Sequence, residues 1–209
     1  MSKSIKPLII DYGLGNLWSV KNAINFLGYD VVISSDPEKI INANKILLPG
    51  VGSFAMGMKM LKKLDLDEAI RVSVVENGNS ILGICLGMQL LGKSSREDGY
   101  TEGLGLIPAD VDIFNKELTK DLKIPHIGFN RVYIKEGTIL YKDLNEHSDF
   151  YFVHSYRMLP NKIETDCQTC IYGEKFAASY EKDNIFATQF HPEKSQTNGL
   201  ILLNNFLES

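Results

Sequence analysis

The stretch ILGICLGMQLL, residues 81–91, changes character at its centre. The run SILGI (80–84) is short, apolar and bounded by turn residues, as a buried strand is, whereas Leu86, Gln89 and Leu90 follow at helical spacing. Cys85 therefore stands at a strand-to-helix apex, with Gly83 and Gly87 at G-x-C-x-G spacing, the pattern of a nucleophile elbow that carries cysteine in place of serine. A tight turn needs small neighbours for its apical side chain to project, and a helix N-terminus behind a thiol favours the thiolate. The same letters also suit a small buried hydrophobe in a leucine-rich core. A base elsewhere in the chain separates the two readings.

Working outward, PLIID (7–11), YDVVIS (29–34) and KILLP (45–49) are further strand candidates. Between the first two, NLWSVKNAINFLG (16–28) places Leu17, Val20, Ile24 and Leu27 on one helical face, with Gly28 as a C-terminal stop. Residues 54–77 predict one or two helices broken near Leu64 and Asp65. This βαβαβ order implies parallel strands joined by helical crossovers. From about residue 104, DVDIF, NRVYI, DFYFVHSYRM, FAASYE and NIFATQF are strand-like and separated by turns, which predicts an antiparallel extension. A last amphipathic run, TNGLILLNNFLES, closes the core through Leu200, Leu203 and Phe206 or Leu207. The expected fold is α/β, a mostly parallel central sheet flanked by helices with an antiparallel extension, in a single domain over residues 1–209.

Composition narrows the function classes. With 44% apolar residues, 23% charged residues and a formal net charge of −4, the chain has no polyanion-binding character, so no nucleic-acid partner is expected. The start, MSKSIKPLIIDYG, offers only a four-residue apolar stretch before Asp11, too short for a signal-peptide core or a membrane span; a cytoplasmic protein is expected. Cys167 and Cys170 form a CxxC without a second such pair, in a segment that reads as polar, and are taken as incidental thiols rather than a zinc or redox site.

The chain has four histidines, His126, His147, His154 and His191. His191 follows the strand-like ATQF, with Pro192 fixing the backbone and Glu193 two residues on. An H-x-E pair at a strand end can set imidazole and carboxylate in one cleft, so His191 can take the proton of Cys85 while Glu193 orients it. A metal site finds too few ligands, since HExxH is absent. The third element is LLPGVGSF (47–54): its glycines lack the third glycine and the lysine of nucleotide-binding loops. Glycine-rich backbone at the C-terminal edge of a parallel sheet can instead offer N–H groups to an oxyanion.

Together, PGVGSF, GICLGMQLL and QFHPEKSQ resemble the class I glutamine amidotransferases in letters, order and separation. The resemblance implies an α/β sheet bearing a triad of Cys85, His191 and Glu193. It also implies an oxyanion hole from Leu86 and from Val51 or Gly52 after a peptide rearrangement, and glutamine held by Gln89, Glu97, Ser155 and Tyr156, with no cofactor and no metal. More narrowly, DYGLGNLWSV (11–20), IPHIGFNRV (124–132) and YFVHSYR (151–157) resemble the glutaminase subunits of imidazole glycerol phosphate synthases. That implies a heterodimer in which ammonia passes to a (β/α)8-barrel cyclase of histidine biosynthesis, which makes imidazole glycerol phosphate and aminoimidazole carboxamide ribotide. Asn16, Phe129 and Lys194 would face the partner. Phe129 departs from the tryptophan usual in this motif and so loses an indole N–H donor. The alternative is a paralogue that supplies ammonia to a cyclase-like partner in surface-polysaccharide sugar amidation, which would carry the same triad.

Overall fold

The computed structural model describes residues 5–209; the first four residues of the lysine-containing start lie outside the described residues. The first half of the chain alternates strand and helix: β1 (Leu8–Ile10), α1 (Leu17–Phe26), β2 (Val32–Ser34), α2 (Pro37–Ile41), β3 (Lys45–Gly50), α3 (Phe54–Lys63), α4 (Leu66–Arg71), β4 (Ser80–Cys85) and α5 (Leu86–Leu91). The break expected near Leu64 and Asp65 is present, with Asp65 in the left-handed region at φ 56°. A π-helical turn, Val72–Glu76, extends α4. The short α2 was not anticipated; Asp36 caps it by accepting from the Glu38 N–H at 3.0 Å, and Pro37 opens it.

The second half is mostly strand: β5 (Ser94–Ser95), β6 (Thr101–Glu102), β7 (Val111–Ile113), β8 (His126–Tyr133), β9 (His147–His154), β10 (Tyr156–Met158), β11 (Cys167–Tyr172), β12 (Glu174–Lys182) and β13 (Ile185–Thr188), then α6 (Gln196–Glu208). Nine strands form one sheet in the order β2-β1-β3-β4-β13-β12-β11-β8-β9. Pairing is parallel from β2 through β13 and antiparallel from β13 to β9, so the extension is as broad as the parallel half. A second sheet, β10-β7-β5-β6, has four short strands.

Why the parallel strands read as unbroken apolar runs is visible in their two faces. Leu8, Ile10, Ile46, Leu48 and Ile81 pack with Phe54, Met58 and Leu61 of α3, while Ile9, Leu47, Leu82 and Ile84 pack with Val20 and Ile24 of α1 and Leu203 and Phe206 of α6. Alternate residues thus enter two cores on opposite faces of the sheet, and polar side chains such as Lys45, Ser80 and Ser34 are confined to strand ends. Burying each such side chain contributes roughly 1.5–3 kcal/mol. No helix among the described residues is long and apolar enough to cross a membrane.

Candidate active site

The elbow is built by close approach. Cys85 sits at φ 55° and ψ −109° between β4 and α5, a conformation uncommon for a residue with a side chain. A Cβ at Gly87 would lie 1.7 Å from the Leu48 carbonyl oxygen, and one at Gly83 would lie 2.8 Å from the Met88 nitrogen. Only glycines let α5 turn back this tightly across β3 and β4. Register then brings in the second element: Gly50 pairs with Cys85 across the β3–β4 ladder, so the PGVG stretch leaves the sheet beside the sulfur.

His191 is held from both sides. Its backbone N–H donates to the Tyr151 carbonyl at 2.9 Å, and the Ser195 hydroxyl donates to the His191 carbonyl at 2.6 Å while accepting from the Tyr151 N–H at 2.9 Å. A 3-10 turn, Pro192–Lys194, then folds Glu193 back so that its Oε1 lies 2.8 Å from His191 Nδ1. Because an ionised carboxylate only accepts, Nδ1 carries the proton in this contact. The other nitrogen, Nε2, is buried without a hydrogen-bond partner, and His191 and Cys85 line the same cavity. Burial opposes the imidazolium, but the nearby Cys85 and the hydrogen-bonded, charged Glu193 favour it more, and the pKa is pushed up to about 10.

That cavity, of about 300 Å³, gathers the sequence-derived residues. Val51, Gly52, Cys85, Leu86, Gln89, Glu97, Ser155, Tyr156 and His191 all line it, joined by Pro125, Val153 and His154, which sequence reading had not singled out. The small sheet supplies one wall: Glu97 lies in the β5–β6 connection and Tyr156 opens β10. Glu97 is not a solvated loop charge. Its Oε2 accepts from the Phe54 N–H at 2.7 Å, and burial raises its pKa despite that bond, with Asp98 adding to the rise.

Gln89 does not merely cap a helix surface; it is buried, and its Nε2 donates to the Tyr156 carbonyl at 3.1 Å and to Gln189 Oε1 at 3.0 Å. Both of its donors are spent on protein, which leaves Oε1 as its remaining polar group. His154 Nδ1 lies 2.8 Å from the same Tyr156 carbonyl, and its Nε2 lies 3.1 Å from His126 Nδ1. A carbonyl can only accept, so His154 donates from Nδ1 and accepts from His126. Burial keeps both rings neutral, with pKa values lowered to about 4 for His126 and about 3 for His154.

Of the three residues expected to face a partner, Phe129 and Lys194 converge on one ring. Phe129, 50% exposed, meets Tyr151 edge-on at 5.6 Å between centroids, and Lys194 Nζ sits 5.9 Å above the same ring. Asn16 caps α1, accepting from the Ser19 N–H at 3.3 Å. Cys167 and Cys170 lie on β11, a strand where a polar segment was expected, and enter opposite cores. They cannot share a zinc ion or a disulfide in this arrangement.

Comparison with known proteins gives the family. A family model described as "Glutamine amidotransferase class-I" matches residues 8–209. The chain is 48% identical over 204 residues to imidazole glycerol phosphate synthase subunit HisH 1 of Parasynechococcus marenigrum (strain WH8102), covering 97% of each chain. It is 46% identical to the HisH subunit of Moorella thermoacetica, covering 98% of this chain and 95% of that one. Among solved structures, PurLQS from Thermotoga maritima superposes with a TM-score of 0.72 at 17% identity, covering 99% of both chains, a likeness of fold. The chain belongs to the class I glutamine amidotransferases.

Proposed function

We propose that this chain is the glutaminase subunit of an imidazole glycerol phosphate synthase, acting in histidine biosynthesis as one domain over its whole length. The observation that carries the reading is the single cavity in which Cys85, the His191–Glu193 pair and the PGVG edge meet. Identity of 46–48% over nearly full length to curated synthase subunits supports the pathway.

In this reading the Cys85 sulfur attacks the side-chain carbonyl carbon of glutamine. Negative charge develops on the carbonyl oxygen, where the Leu86 N–H and a Val51 or Gly52 N–H stabilise it. His191, protonated and held by Glu193, gives its proton to the departing nitrogen, so ammonia leaves and a thioester remains. His191, now neutral, takes a proton from water; the hydroxide attacks the thioester, the C–S bond breaks, and glutamate departs. Glu97 pairs with the substrate α-ammonium, Gln89 offers its free Oε1, and Ser155 and Tyr156 complete the wall. Ammonia passes to a cyclase subunit of (β/α)8-barrel type that docks through Asn16, Phe129 and Lys194.

The experiment combines the chain with its cognate cyclase, glutamine and the ribulose-phosphate ligand and measures glutamate. Release is expected in the complex, with a loss of at least about a thousandfold for Cys85→Ala. The isolated chain should be slow, since one missing oxyanion donor is worth ~3 kcal/mol, roughly a hundredfold. An undiminished rate with Cys85→Ala would remove the catalytic reading.

A further inference from the structure

Gln189 is wholly buried, lies just beyond β13, and has no part in the mechanism above. Its backbone N–H donates to the Ala178 carbonyl at 2.8 Å, which fixes where the side chain departs. Its amide is oriented by a chain of one-way contacts. The Tyr156 carbonyl can only accept, so the end of Gln89 that faces it is the nitrogen; that same nitrogen meets Gln189, which must present its oxygen. The remaining end of Gln189 is Nε2, and it points at the Cys85 sulfur at 3.8 Å. A reversed Gln189 amide would set nitrogen against nitrogen and oxygen against sulfur, losing both bonds.

The sulfur thus stands between two unlike neighbours. On one side, at 3.9 Å, is the Val153 carbonyl, which can bond only to an S–H. On the other is the Gln189 N–H, which donates more strongly to a negative sulfur than to a neutral one. Moving the proton from sulfur to His191 discards the first contact and strengthens the second.

We propose that Gln189 is a positioning residue for the nucleophile, its amide N–H holding the Cys85 sulfur as thiolate. It rests on the reading of Cys85 as nucleophile. The N–H is released when sulfur bonds to the acyl carbon, and it receives the sulfur again when water displaces it and the C–S electron pair returns. Gln89 aims it, so a residue of the substrate wall and the nucleophile share one hydrogen-bonded chain. The ionisable groups near the sulfur are His191, backed by Glu193, and Tyr12, with Glu97, His154 and Tyr156 also lining the cavity; the test alters none of them.

The test is site-resolved alkylation of Cys85 by iodoacetamide across pH, on the full chain without glutamine or partner. For Gln189→Met the pH of half-maximal rate should rise by about one unit, roughly a tenfold lower rate on the rising limb. A profile that superimposes on the unaltered chain overturns the proposal. Should Gln189→Met not fold, Gln189→Glu preserves the contact with Gln89 and presents a carboxylate to the sulfur. Alkylation should then slow progressively as that carboxylate ionises, and an unchanged rate overturns the proposal equally. Because the readout is a thiol reaction, failure of the glutaminase reading would appear separately, as absent glutamate release with an intact alkylation shift.

Discussion

Cys85 and the pair Cys167 and Cys170 are all buried, all free and all reached by apolar neighbours, yet the molecule treats them differently. Cys85 occupies a left-handed apex with an imidazole, an amide and a cavity around its sulfur. The other two lie on β11, on opposite faces, where burial pushes their thiols up to about 11 for Cys167 and about 12 for Cys170. The amino-acid type and the degree of burial are shared. Reactivity should differ because of backbone conformation and of what stands within a few ångströms.

Labelling measures that contrast most strongly. In the folded chain at pH 7.5, Cys85 should be alkylated about a thousandfold faster than Cys167 or Cys170; comparable rates at all three sites, read by mass spectrometry, would break the comparison. Glu193→Gln tests what surrounds Cys85, and should lower glutamate release in the synthase complex by about a hundredfold. Removing that carboxylate withdraws part of what lifts His191 to about 10, so the imidazolium is lost at lower pH. The alkaline fall in activity should therefore move downward in a pH–rate profile, and a profile of unchanged position would contradict the assigned role. The smallest effect belongs to β11: Cys170→Ala should cost about 1–2 kcal/mol in denaturant unfolding, as a small buried group does, and leave turnover unchanged.

Much of this was legible beforehand because its signals are local. Two glycines around one cysteine marked the elbow, and both are demanded by contacts with Leu48 and Met88. The helix break was marked by Asp65 after Leu64. By contrast, β11 was hidden by Gln168 and Thr169, polar letters whose side chains are buried; Gln168 Oε1 accepts from the Lys135 N–H at 2.8 Å. Strands of two residues, such as β5 and β6, are too short for any periodicity, so only β7, within DVDIF, and β10, within DFYFVHSYRM, left a sequence trace of the small sheet that brings Glu97 and Tyr156 together. Gln189 did leave one. It stands two residues before His191 in the strand-like ATQF, a spacing that along a strand turns two side chains the same way, and a lone amide in an apolar run has to find a buried partner.

The bond from the Phe54 N–H to Glu97 joins the first turn of α3, immediately after PGVGS, to the connection that ends one wall of the cavity. The arm that would grip the substrate's α-ammonium and the hinge of the strip that would receive its oxyanion are thereby one linkage. A positive charge arriving at Glu97 would pull on the same carboxylate that anchors the strip. Occupancy of the cavity would then be felt at the strip of backbone that the resemblance has rearranging, before any partner protein takes part.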